Sequence, residues 1–120
     1  MAKVLLAGYI REHLDQRNNA LCAAGHQAIL ATDCAAAYRA IEQENFDVAV
    51  LGFSIPEPER NEMARRLTQN NSDIRIVMIY FASVQNTELA DALIPTTANA
   101  QEVLRAVNHV LKTQKSSRTN

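Results

Sequence analysis

Few residues in this chain are of a type that does chemistry, and their spacing keeps them apart. Cys22 and Cys34 lack a CxxC spacing, and no pair of histidines completes a zinc pattern. Both cysteines read as reduced, mostly buried thiols. His13, His26 and His109 form no ligand pair at helical spacing. Ser54 lies in a predicted turn with no His or Lys beside it, which suits turn chemistry better than nucleophilic attack. Glu57 and Glu59 precede Arg60, Arg65 and Arg66; this reads as the solvated start of a helix, with acids near its positive dipole end. A charged partner patch is the other reading. The three glycines, Gly8, Gly25 and Gly52, belong to no phosphate-binding loop. Nothing groups a nucleophile, a base and an oxyanion donor, so neither an enzyme nor a cofactor is expected.

The elements that position these residues alternate between short β-rich runs and longer helical ones. Strands are predicted at Lys3 to Ala7, Gln27 to Ala31, Asp47 to Leu51, Ile74 to Tyr80 and Ala92 to Ile94. A helix spans about 10–24, with Ile10, Leu14, Arg17 and Leu21 on one face and Gly25 as its stop. Thr32 or Asp33 caps a second helix running to about Gln43. Pro56 and Pro58 open a third, which carries Met63, Ala64 and Leu67. Asn99 or Thr97 caps a last one, with an apolar stripe of Val103, Leu104, Val107, Val110 and Leu111. Such alternation predicts an α/β fold: a five-stranded parallel sheet, flavodoxin-like in its order 2-1-3-4-5, with helices on both faces. Residues 81–91 leave about the 10–12 positions a parallel crossover needs, so the fourth helix of this plan must be shortened or missing.

Length and composition set the limits. The 120 residues suit one domain, read here as 2–112, with 113–120 as a disordered polar tail. Apolar residues make up 48% and charged ones 21%, the balance of a globular protein. A net charge of −1 gives no reason to expect nucleic acid or an anionic membrane as partner. No apolar run approaches the ~20 residues of a membrane span. Arg11 and Glu12 follow the first apolar run at once, without a small-residue cleavage site, so no signal peptide is read and a cytoplasmic location is expected.

With these elements in order, the sequence resembles the receiver domain of bacterial two-component response regulators. The resemblance rests on KVLLA at the start, AAGHQAILATD into the second helix, FDVAVLGFSIP through the third strand and ALIP to EVLRAVNHVL at the end. Pro56 falls where that family has its proline after the third strand. The family's functional residues do not carry over. Gly8 and Tyr9 match its acidic, Mg²⁺-holding pair. Gly52 matches the phosphorylated aspartate, Tyr80 the switch Ser or Thr, and Thr96 the lysine after the fifth strand. Thr97 replaces the proline that follows it, and Leu93 the switch aromatic. The resemblance therefore implies a degenerate receiver. Elementary chemistry agrees: Mg²⁺ wants hard carboxylate oxygens, and no Asp or Glu stands at the end of any predicted strand. An acyl phosphate needs a carboxylate nucleophile.

Four of the six aromatic residues, Tyr9, Phe53, Tyr80 and Phe81, fall at the C-terminal ends of strands one, three and four. Those ends converge on one crevice in this topology. The rings either fill the vacated site or offer an apolar patch to a partner. In the family the face of the fourth helix, fifth strand and last helix commonly binds partners or dimerises. A shortened fourth helix reshapes it, and Leu89, Leu93, Val103, Val107 and Val110 are the candidate contacts. The expected function is a receiver-like signalling module acting by protein–protein interaction, without aspartate phosphorylation, with a homodimer as one form of that contact. The alternative is a flavodoxin-like small-molecule-binding module. The cobalamin pattern DxHxxG, however, is missing from GYIREHLDQRNN.

Overall fold

The computed structural model describes residues 2–80 and 90–112. Its elements run β1 (Lys3–Ala7), α1 (Arg11–Ala23), β2 (Gln27–Ala31), α2 (Cys34–Gln43), β3 (Val48–Leu51), α3 (Glu57–Asn70), β4 (Arg75–Tyr80), β5 (Ala92–Pro95) and α4 (Ala100–Lys112). The five strands pair in parallel in the order β2-β1-β3-β4-β5, as the sequence predicts. The crossover that would carry the shortened helix falls on 81–89, outside the described residues, as does the tail at 113–120.

Local chemistry fixes the element ends. Gly25 takes φ 90°, a conformation that L side chains rarely adopt. Its amide bonds to the Cys22 carbonyl and that of His26 to Leu21, the paired bonds of a Schellman stop. Asp33 caps α2 by accepting from the Ala36 amide at 2.7 Å. At α4, Asn99 and Glu102 form a reciprocal capping box. Ile10 is 37% exposed, because it occupies the N-cap of α1 and not its buried face.

The pleat sorts side chains into two cores, since successive strand residues point to opposite faces. Leu5, Ala49, Leu51, Ile76 and Met78 face α2 and α3, where Ile41, Met63 and Leu67 meet them. Val4, Leu6, Val48, Val50, Val77 and Ile79 face α1 and α4, where Leu14, Leu21 and Val107 close the layer. Burying each large side chain contributes about 1.5–3 kcal/mol. His26 ties the second layer together at its base. Its Nδ1 accepts from the Ala2 amide at 3.1 Å, and its Nε2 lies 2.9 Å from Asn108 Oδ1.

The packing corrects one expectation. Val103, Val107 and Val110, predicted on a partner face, are 1%, 0% and 1% exposed. Their spacing forms the inner stripe of α4, which the sheet and α1 bury. Leu93 is 39% exposed on β5, while its neighbours Ala92 and Ile94 turn to the α1–α4 layer. Leu89 lies outside the described residues.

Candidate functional site: the C-terminal ends of the strands

Parallel strands of this order bring the ends of β1, β3, β4 and β5 to one rim. Gly8 and Gly52 are buried side by side there. A Cβ on Gly52 would stand 3.6 Å from the Gly8 Cα, and the Gly52 amide donates to the Ala7 carbonyl at 2.9 Å. Ser54 acts as a turn residue. Its Oγ accepts from the Tyr9 amide at 2.8 Å, tying the exit of β1 to that of β3. Tyr80 is half-buried, and its carbonyl accepts from the Thr96 amide at 3.0 Å, holding the exit of β5 beside that of β4.

The positions expected to have lost a receiver's chemistry therefore do gather at one place, but two arginines meet them. Arg17 reaches up from α1 and is 8% exposed. Its Nη1 would lie 3.4 Å from a Cβ on Gly52. Burial pushes its pKa below the ordinary guanidinium range. Arg60, also 8% exposed, comes from α3 and donates from Nη1 to the Ile79 carbonyl at 3.1 Å. Burial lowers its pKa too, and the charge of Glu57 partly opposes the shift. Arg60 does not belong to a solvated helix start as its sequence neighbourhood suggests. Arg65 and Arg66, two turns further along α3, are solvated: they are exposed and both pair with Glu62, while Arg66 lies 4.3 Å over the ring of Tyr38.

The described rings go to different neighbours. Tyr9 is 36% exposed and donates its hydroxyl to Glu59 at 2.6 Å. Partial burial, reinforced by that bond, holds its phenol above the usual pKa range, so it serves as a donor. Phe53 packs against the α1–α4 layer and tilts against His13, 5.6 Å between ring centres. Phe81 lies outside the described residues. Among the described residues, no group of three or more His, Cys, Asp or Glu could hold a metal ion.

The nearness of Arg17 to Gly52 is a tertiary contact that sequence spacing does not express. A signal was present: a cation on the apolar face of the first helix, one turn from Leu14 and Leu21. What the sequence lacks is the length and direction of the side chain's reach. Arg60 gave no such signal, because it stands among acids and other arginines.

This fold is that of the receiver domains of response regulators. A CheY-like response regulator receiver domain protein from Methanospirillum hungatei JF-1 superposes with a TM-score of 0.81 at 21% identity, over 92% of this chain and 94% of that one. The chemotaxis response regulator CheY4 of Vibrio cholerae gives 0.78 at 19% identity, over 92% and 98%. The signal receiver domain of a putative Luxo repressor protein from Vibrio parahaemolyticus gives 0.78 at 14%, over 92% and 90%. No family model and no curated protein matches the sequence. Among the described residues, no helix is long and apolar enough to cross a membrane.

Proposed function

We propose that this chain is an atypical receiver protein of the cytoplasm, acting in signal transduction through protein–protein contact and without aspartate phosphorylation. One observation carries the reading: the C-terminal rim presents Gly52 beside the Arg17 guanidinium. A phosphorylatable receiver needs a carboxylate and a divalent cation there. Acyl-phosphate formation requires a nucleophilic oxygen on the protein, and Gly52 supplies none. A guanidinium at this distance would also repel Mg²⁺. The module is non-catalytic on this account, and its output is a surface read by a protein partner or by a second copy. Exposed Leu93 on β5 and the groove between Ala92, Ile94 and Ala106 offer apolar area for such contact.

The test is intact-mass spectrometry after incubation with acetyl phosphate and Mg²⁺. The expected spectrum is unchanged. A stoichiometric phosphoryl adduct on an Asp of this chain would sink the proposal.

A further inference from the structure

Beside the Gly52 rim, where α1 meets the loop between β5 and α4, lies a small polar pocket of about 120 Å³. His13, Gln16 and Arg17 form one wall; Thr96 and the start of α4 at Asn99 and Ala100 form the other. Among the described residues, no Asp or Glu lines it. Arg17 is more than nine-tenths buried, and its guanidinium has no hydrogen-bond or ion-pair partner among the described residues. The burial is that of its aliphatic stem; the guanidinium nitrogens are not sealed from solvent, so their N–H donors stay open to a ligand in the pocket that Arg17 lines.

The opposite wall has the same polarity. α4 is 13 residues long, and its N-terminus carries the positive end of the helix dipole. Asn99 Oδ1 accepts from the Glu102 amide at 2.9 Å, and Glu102 Oε1 accepts from the Asn99 amide at 3.3 Å. That box leaves the Ala100 amide, at the pocket wall, without an intrahelical acceptor. The Glu102 carboxylate is held by the Asn99 amide and lines the neighbouring groove, not this pocket. The absence of a side chain at Gly52 leaves the guanidinium its place.

We propose that this pocket binds a small oxyanion of the phosphate class, held between the Arg17 guanidinium and the N-terminus of α4. The volume is well below the 300–1,000 Å³ of whole-ligand sites, so the occupant is a free phosphate ion or the phosphate end of a larger molecule. Binding is non-covalent and needs no Mg²⁺. The inference is therefore independent of whether the chain is phosphorylated, and its failure is separable from failure of the proposed function.

The test is an amide NMR titration of the full chain with inorganic phosphate, without Mg²⁺ and at constant ionic strength, repeated with glycerol phosphate. Saturable shifts are expected at Arg17, Gly52, Thr96 and Ala100. Arg17→Met should weaken binding by about tenfold or more, the loss of one charge-assisted contact. Gln16→Glu, on the exposed rim, keeps the fold and should also weaken it by repulsion. Tighter binding of glycerol phosphate assigns the pocket to the end of a larger molecule; equal or weaker binding assigns it to the free ion. No saturable shifts, or shifts that survive unchanged in both variants, overturn the proposal.

Discussion

Replacing Val107 by aspartate should cost the protein most or all of its stability. Val107 is fully buried between α4 and the sheet, beside Val103 and Val110. The substitution forfeits about 1.5–3 kcal/mol of burial. It also places a carboxylate among buried apolar side chains, a further penalty of several kcal/mol. Domains of this size have a total stability of about 5–15 kcal/mol. Urea unfolding followed by circular dichroism should show the midpoint displaced by more than about 4 kcal/mol of stability, or no cooperative transition at all. Leu93→Asp is the matched control. Leu93 is 39% exposed on β5, so the same change there should cost within about 0.5 kcal/mol. A Val107→Asp protein of near wild-type stability would mean that the stripe of α4 faces a partner or solvent after all.

Gly52→Asp restores the residue type that a phosphorylatable receiver uses, and should still fail to restore phosphorylation. The new Cβ would stand 3.2 Å from the Ala7 carbonyl, which already accepts the Gly52 amide, so the backbone must give slightly. The new carboxylate would meet Arg17. Pairing with a guanidinium favours the ionised acid, so its folded-state pKa falls below the ordinary Asp value of about 3.9. A depressed carboxyl pKa gives stability that is fully present above the unfolded pKa and lost as pH falls through the folded one. The stability of Gly52→Asp relative to wild type should therefore rise by about 1–3 kcal/mol between acid and neutral pH. Chemical denaturation across that range reads it directly. With acetyl phosphate and Mg²⁺ the variant should acquire no adduct, because Gly8 and Tyr9 add no metal ligand and Arg17 occupies the carboxylate. A flat stability difference across pH would show that Arg17 does not reach residue 52.

The fold was legible because its signals are periodic and local. The strands Lys3–Ala7 and Gln27–Ala31 fall as predicted, and the others differ at one end by a single residue. Gly25 and Asp33 mark helix ends by requirements that a neighbourhood of a few residues expresses. The stripe of Val103, Val107 and Val110 was visible as a stripe, but periodicity does not say what covers it. The sheet and α1 do, as the core demands. The rim was legible only as a set of positions. Its present chemistry rests on Arg17 and Arg60, whose guanidinium groups lie several bonds from their own backbones. Their destinations, near Gly52 and at the Ile79 carbonyl, are set by tertiary packing and not by sequence spacing.

The measurement that bears most directly on the central claim is an amide NMR titration with Mg²⁺, followed by beryllofluoride with and without Mg²⁺. Beryllofluoride mimics a phosphoryl group on a receiver aspartate, and there it depends on the metal. The account predicts no saturable, localised shifts with Mg²⁺ at Gly8, Tyr9, Gly52, Tyr80 and Thr96. It also predicts that any response to beryllofluoride is the same without the metal. Saturable Mg²⁺ shifts at those residues, or a beryllofluoride response that requires Mg²⁺, would contradict it.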